Sequence, residues 1–204
     1  METYQPQNSR YVLPQFEERT PNGYRTQDPY SRLFRDRIVF VGAPIDEVSS
    51  NDIMSQLLVL DSLKTEQITM YINSPGGDLG DTTAIIDTMN YISSPVATVC
   101  LGKAYNSAAI LLASGQKGLR AMLPNAKVVL AQPETQGGRG QATDIDIQAE
   151  EIISQRAWVE ETLSTITGQS PEKVRKDVER HFYLNAKKAI EYGLVDQVFE
   201  NKQS

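Results

Sequence analysis

The sequence has few of the residues on which most enzymatic chemistry depends. Its 204 residues include one histidine, His181, and one cysteine, Cys100. No disulfide can form within the chain, and the apolar run 96–101 favours a buried Cys100 over a reactive thiol. Because a general base must contact its nucleophile, any serine–histidine or cysteine–histidine catalytic site would have to be built around His181.

Three further absences narrow the class of function. The 20 Lys and Arg residues are scattered and outnumbered by 26 Asp and Glu, so the sequence predicts no nucleic-acid partner. No apolar run approaches the roughly 18 residues that span a bilayer, and residues 1–10 lack a signal-peptide pattern. We therefore expect no membrane partner and a cytoplasmic location. No phosphate-binding loop and no metal-ligand spacing is present, so no cofactor or metal is expected.

The chain is predicted to consist of a polar amino-terminal arm, residues 1–30, and a single α/β domain, residues 31–204. The arm contains four prolines and has no helical or strand period. In the domain, strand patterns alternate with helical ones, which predicts crossover units with active-site loops at the carboxyl ends of the strands. The predicted strands are 37–41, 68–72, 96–101, 127–130 and 194–199. The predicted helices cover 53–60, 84–89, 107–113 and 186–192, and a further helix begins at Ser170–Pro171. Ser50–Asp52 are expected to start the first helix, and Asn185 is expected to cap the helix 186–192.

One helix is predicted to be far longer than the others, from about 142 to 167, and Gly168 ends it. Its apolar residues recur at spacings of three, four and seven, which makes one narrow stripe. Two interpretations remain open: the stripe packs on its own domain, or the helix protrudes and pairs with another subunit. The stripe consists of Ile145, Ala149, Ile152, Val159, Leu163 and Ile166.

Two loops are candidates for chemistry. In Ser74–Gly77 the glycines allow the backbone to approach a ligand, so amide groups could point into a cleft as an oxyanion site. A simple strand-to-helix turn is the alternative interpretation. The corner at 102–109 has the pattern that presents a nucleophile at the start of a helix, but it offers Asn106 or Ser107.

Six short segments carry a family resemblance. They are YINSPGG at 71–77, DTM at 87–89, LPNA at 123–126, QP at 132–133, GQATDI at 140–145 and EYGLVD at 191–196. Together they resemble the proteolytic subunit of the Clp protease, ClpP, with similarity from about Tyr11 to Phe199. The resemblance implies a crotonase-like α/β head with a protruding handle helix at about 142–167, assembled as stacked seven-membered rings.

The resemblance fails at the positions of the family's catalytic triad. Where the family has its nucleophilic serine, this chain has Asn106; where the base histidine precedes Gln-Pro, it has Ala131; and where the orienting aspartate follows Glu/Asp-Arg, it has His181. An amide cannot form an acyl-enzyme, and an alanine cannot accept its proton. Asn106 is instead predicted to cap the helix that it begins.

The resemblance also assigns roles to residues outside the triad. It implies oxyanion-type backbone amides at Gly77 and Ser107, a ring-to-ring contact at Glu179–Arg180 and an ATPase-docking position at Tyr71. The amino-terminal arm resembles the family's axial pore loops. Asp78 would make the oxyanion site less favourable for an anion, and Lys103 and Tyr105 are expected to fill the vacated cleft.

Three functions follow as hypotheses. The first is a non-catalytic, ClpR-like subunit that joins rings with an active ClpP paralogue and modulates the chamber or the docking of a Clp/Hsp100 AAA+ ATPase. The second is an active serine endopeptidase with a displaced site at Ser107 and His181. The third is a standalone peptide-binding homo-oligomer.

Overall fold

The computed structural model describes residues 15–21, 23–133 and 142–200, which form an α/β fold. The strands are β1 (Phe16–Thr20), β2 (Gly23–Gln27), β3 (Ile38–Val41), β4 (Ile68–Ser74), β5 (Val96–Tyr105), β6 (Arg120–Met122), β7 (Lys127–Leu130), β8 (Phe182–Asn185) and β9 (Gln197–Val198). The helices are α1 (Pro29–Arg35), α2 (Glu47–Leu63), α3 (Leu79–Tyr91), α4 (Ser107–Ala113), α5 (Ala142–Thr167), α6 (Pro171–Val178) and α7 (Ala186–Tyr192). The predicted fold class is confirmed.

The main sheet has seven strands and branches at β5. Strands β3, β4, β5, β6 and β9 lie side by side in that order, and each of these pairs is parallel. The start of β5 pairs with β6, whereas its last residues pair in parallel with β7. Strand β8 runs antiparallel to β7. The branch therefore brings the end of β7 close to the loops that follow β4 and β5.

The central strand β5 is buried on both faces at its start. Its first five residues, Val96 to Cys100, are all buried, as expected for a parallel strand covered on each side. Cys100 is fully buried, and burial raises the pKa of its thiol to about 12. The thiol is therefore protonated at neutral pH and inert, as the sequence predicted.

Residues 16–27 show that the prediction of an arm without strands was wrong. Strands β1 and β2 form an antiparallel hairpin in which Phe16 lies opposite Gln27. Arg35 of α1 donates hydrogen bonds to Glu18 and Gln27, so the hairpin is tied to the helix that follows it. These strands are polar, and pairing rather than apolar alternation stabilises them. The rest of the predicted arm, residues 1–14 and 22, lies outside the described residues.

Other boundaries differ because polar caps and short paired strands carry weak local signals. Helix α2 begins at Glu47, not at Ser50–Asp52, because Asp46 and Ser49 form a capping box with hydrogen bonds of 2.8 and 2.9 Å. Strands β6 and β8 were not predicted, and the last strand covers only Gln197–Val198 of the predicted 194–199. Confirmed boundaries include those of α4, β7, α5 and α7.

The long helix α5 spans the predicted range and divides into two halves. In the half near its carboxyl end, Val159 and Leu163 are 2% and 1% exposed and pack in the core. In the other half, Ile145, Ile147 and Ile153 are 46%, 66% and 67% exposed. The stripe therefore packs on its own domain only in part, and the amino-terminal half leaves an apolar surface uncovered. None of the helices in the described residues is both long and apolar enough to cross a membrane.

A buried carboxylate joins α5 to α6. Glu160 is 6% exposed, and its two oxygens accept hydrogen bonds from Arg156 at 2.9 Å and from Arg175 of α6 at 2.8 Å. Burial raises the pKa of Glu160, but the two guanidinium groups outweigh that cost and hold the pKa below its ordinary value. The carboxylate stays charged, and it anchors the base of α5 against the segment that leads to residues 179–181.

We expect Gly193→Ala to destabilise the fold more than Gly118→Ala does. Both glycines have left-handed backbone, with φ of 94° and 89°, and alanine at either position costs about 1 kcal/mol in strain. A Cβ at Gly193 would also lie 2.7 Å from the carbonyl oxygen of Thr167, whereas one at Gly118 meets nothing within 4 Å. The free energy of unfolding should fall by about 2–4 kcal/mol for Gly193→Ala. Equal losses in urea denaturation would contradict this packing contact.

Candidate active site

A cleft of about 610 Å³ lies where β4, β5 and β7 end, beside the middle of α5. The glycine loop after β4, the first turn of α4 and the segment after β7 each contribute to its wall. Helix α5 closes one side of the cleft with Gln155 and Val159. The apolar stripe predicted the helix but not its contact with the cleft. The described lining residues are Pro75, Gly76, Gly77, Asp78, Leu79, Asn106, Ser107, Ile110, Ala131, Gln132, Pro133, Gln155 and Val159.

The glycine loop is fixed by backbone hydrogen bonds to Ile45. The Ile45 amide donates to Gly76 at 3.0 Å, and the Asp78 amide donates to the Ile45 carbonyl at 2.9 Å. Gly76 has φ of 91° and lies so close to the next loop that a Cβ there would be 2.5 Å from the Tyr105 carbonyl oxygen. Only glycine permits this approach, so the backbone of the loop lies directly against the corner at the cleft.

Asn106 lies at a strained corner between β5 and α4. Its φ of 50° and ψ of −119° fall outside the regions that side chains favour, at a cost on the order of 1–3 kcal/mol. Its amide donates to the Val129 carbonyl at 2.8 Å, which holds the corner against β7. The prediction that Asn106 caps α4 with its side chain was wrong, because this backbone turns the side chain away from the helix amides.

The Asn106 side chain instead leaves one polar atom without a partner. Its Oδ1 is buried and accepts no hydrogen bond from the described residues. A buried acceptor without a donor costs free energy comparable to a lost hydrogen bond. Together with the strained backbone, this shows that the corner is not optimised for stability with asparagine at position 106.

Ser107 forms two hydrogen bonds with Gly77 across the cleft wall. The Gly77 amide donates to Ser107 Oγ at 3.0 Å, and Ser107 Oγ donates to the Gly77 carbonyl at 3.2 Å. Ser107 is 6% exposed, so its hydroxyl lies in the wall and not in the open cleft. The sequence predicted only that this side chain would diverge from that of Asn106, and its partner 30 residues away was missed.

Ala131 and His181 are next to paired residues of β7 and β8, but only Ala131 is among the described residues that line the cleft. In the pairing of β7 with β8, Leu130 lies opposite Phe182, so Ala131 and His181 come next on either side. Ala131 lines the cleft, whereas His181 is not among its described lining residues. The His181 ring is exposed, and its centroid lies 6.3 Å from that of Tyr183.

Charge around the cleft comes from a single described lining residue, Asp78. Its carboxylate accepts the Asp81 amide at 3.0 Å and caps α3. Lys103 and Tyr105 were expected to fill the cleft, but neither lines it. They lie on β5, where Lys103 pairs with Lys127 and Tyr105 with Val129. In the described part of the chain, no cluster of three or more His, Cys, Asp or Glu side chains could hold a metal ion.

Comparison with known proteins identifies the family. A family model described as Clp protease matches residues 21–202. The chain belongs to the Clp protease family. It is similar to ATP-dependent Clp protease proteolytic subunit 1 of Bifidobacterium longum, with 55% identity over 96% of this chain and 84% of that protein. It is also similar to proteolytic subunit 1 of Corynebacterium diphtheriae, with 51% identity over 96% of this chain and 94% of that protein. Proteolytic subunit 2 of Corynebacterium jeikeium is 50% identical over 100% of this chain and 98% of that protein.

Three residues to which the Clp protease resemblance gave roles lie away from the cleft. Glu179 follows α6 at its carboxyl end, and both Glu179 and Arg180 are exposed. Tyr71 lies in β4 between Phe40 of β3 and Val99 of β5 and is half-buried. Glu179 and Arg180 therefore lie on the surface, whereas Tyr71 is partly covered within the sheet.

Proposed function

We propose that this chain is a non-catalytic subunit of a Clp-type ATP-dependent serine protease. One observation carries the proposal: the corner at the cleft presents Asn106, and the neighbouring strand end presents Ala131, so these two positions supply neither a hydroxyl nor a proton acceptor. A serine protease requires both in hydrogen-bonding distance. Bond cleavage in the complex would come from an active ClpP paralogue in the same assembly.

An active site displaced to Ser107 and His181 is less well supported. The Ser107 hydroxyl directs its proton at the Gly77 carbonyl, and His181 is absent from the described lining of the cleft. A general base must lie within about 3 Å of the proton it takes, directly or through one water. Ser107 would have to break both bonds to Gly77 before it could meet a base.

The surfaces outside the cleft support assembly with other subunits. The amino-terminal half of α5 leaves Ile145, Ile147 and Ile153 exposed, which suits burial against another subunit. In the proposed complex this handle and the exposed pair Glu179–Arg180 contact the opposite ring, and Tyr71 contributes to the docking of a Clp/Hsp100 AAA+ ATPase. In this proposal residues 1–30 serve as the axial arm, and residues 31–204 are a single ClpP-like domain that includes the handle helix.

Labelling with a serine-directed phosphonate tests the absence of catalysis. The purified chain alone should give no adduct. In a mixture with an active proteolytic subunit, only the active subunit should be labelled. Tandem mass spectrometry assigns any adduct to its residue, and an adduct on Ser107 in the pure protein would establish the displaced site.

Native mass spectrometry of the complex from its own cell tests the partnership. We expect mixed rings that contain this chain, an active paralogue and, with nucleotide, the ATPase. Recovery of rings of this chain alone would favour the homo-oligomeric peptide binder.

Fractionation of the same lysate tests the proposed location. If the chain resides in the cytoplasm without membrane or nucleic-acid partners, the membrane and nucleic-acid fractions should lack it.

A further inference from the structure

The Ser107 hydroxyl accepts the hydrogen bond of the Gly77 backbone amide, in the glycine loop that lies against the corner at Asn106. The Gly77 amide lies 3.0 Å from Ser107 Oγ, and the same oxygen donates back to Gly77 at 3.2 Å. Both groups of Gly77 are therefore satisfied from within the chain. A side chain tied by two bonds to one rigid residue has little freedom to swing away.

The geometry places this amide beside the position from which a nucleophile would attack. A Cβ at Gly76 would lie 3.3 Å from both Asn106 Cβ and the Ser107 amide, so the glycine loop rests directly against the corner. An oxyanion generated by attack from position 106 would form between these two backbone segments. To stabilise it, amide donors must be 2.7–3.1 Å from the oxyanion and free of other acceptors.

We propose that Ser107 is a positioning residue that blocks the oxyanion site by holding the Gly77 amide. The inference deepens the proposed function and rests on it: besides the nucleophile and the base, the cleft has lost one of the two backbone donors that the Clp protease resemblance implies, the Gly77 amide. Asp78, the one charged residue among the described lining residues, adds a negative charge that further disfavours an anion. Such a cleft accepts neutral or cationic segments and not a tetrahedral oxyanion.

Kinetics in a background with a restored triad test the block. The reference is Asn106→Ser with Ala131→His and His181→Asp, and the test variant adds Ser107→Ala. We expect the added change to raise kcat for a fluorogenic peptide about ten- to a hundredfold with KM nearly unchanged, since a freed donor acts in the transition state. An unchanged or lower kcat, or a change confined to KM, would overturn the proposal.

Ser114→Ala in the same background is the matched control. It removes the same hydroxyl from the end of α4, where Ser114 Oγ donates to the Ile110 carbonyl at 2.8 Å, and Ser114 does not line the cleft. A gain from Ser114→Ala equal to that from Ser107→Ala would show a general loosening of the helix and contradict a specific block. Hydrolysis by the unaltered chain would refute the proposed function, and exchange of the Gly77 amide would still decide whether the Ser107 hydroxyl holds that amide.

Amide hydrogen exchange tests whether Ser107 holds the Gly77 amide without the need for a catalytically active variant. In the unaltered background, Ser107→Ala should accelerate exchange of the Gly77 amide at least about tenfold, because that amide loses its only acceptor among the described residues. The Ile45 and Asp78 amides form the backbone hydrogen bonds between Ile45 and the glycine loop, and their exchange should change little. Equal exchange at Gly77 with and without the Ser107 hydroxyl would overturn the block even if the triad variants fail to fold.

Discussion

Asn106→Ser alone should hydrolyse no more peptide than the unaltered chain. A serine hydroxyl is a weak nucleophile at neutral pH until a base accepts its proton, and position 131 offers only a methyl group. Adding Ala131→His and His181→Asp supplies the base and its orienting group. Because a general base contributes about 10²–10⁴ in rate, the triple variant should exceed the single one by a factor in that range.

The measurement is hydrolysis of a fluorogenic peptide by rings of verified size, together with phosphonate labelling at position 106. Asn106→Ser with Lys127→His and His181→Asp is the matched control, because Lys127 lies at the exposed start of the same strand, β7. That control should remain inactive. Hydrolysis by Asn106→Ser alone would mean that a proton acceptor reaches the corner from elsewhere, and the pseudoenzyme proposal would then fail.

Asp196→Ala should lower the free energy of unfolding by about 3–5 kcal/mol, because it leaves a buried guanidinium without its partner. Arg120 is 5% exposed, and its Nη2 and Nε donate to the two Asp196 carboxylate oxygens at 2.6 and 2.9 Å. The Asp196 carboxylate also accepts the amides of Gly118 and Arg120 at 2.7 and 3.0 Å. One side chain thus joins the turn before β6 to the turn before β9.

Urea denaturation of three variants checks this value. Asp36→Ala removes an exposed partner of Arg32 and should cost less than about 1 kcal/mol. Arg120→Met with Asp196→Leu should recover only part of the loss, because it leaves no buried charge but deprives the Gly118 and Arg120 amides of their acceptor. If Asp196→Ala cost no more than Asp36→Ala, the pair would have to be treated as a surface ion pair.

The same ion pair predicts how stability depends on pH. Hydrogen bonds from Arg120 are the main cause of an Asp196 pKa below its ordinary value near 4. A carboxyl whose pKa is lower in the folded state stabilises the fold above its unfolded pKa, and this stabilisation is lost as the pH falls through the folded pKa. The difference in stability between the unaltered chain and Asp196→Ala should therefore shrink below about pH 4.

Local patterns predicted the elements whose signals are contained in their own residues. The apolar stripe and Gly168 set the range of α5, Asn185 and Gly193 set the range of α7, and the short apolar run predicted β7. Most of the strands that the patterns missed depend on a partner strand. Strand β6 has three residues and exists because it pairs with β5 and β9, and the polar hairpin β1–β2 exists because each strand satisfies the other.

The order of the amino acids was enough to predict the family, the α/β class and the long helix, and it fixes which residue types stand at positions 106, 131 and 181. Those properties depend on which side chains occur and in what order. Three features came from the folded chain alone: the Ser107 hydroxyl bonds to Gly77, Asn106 adopts φ of 50°, and Asp196 pairs with a buried Arg120. Each of these depends on segments that are far apart in the chain and meet only when the sheet is assembled, so no local pattern could encode it.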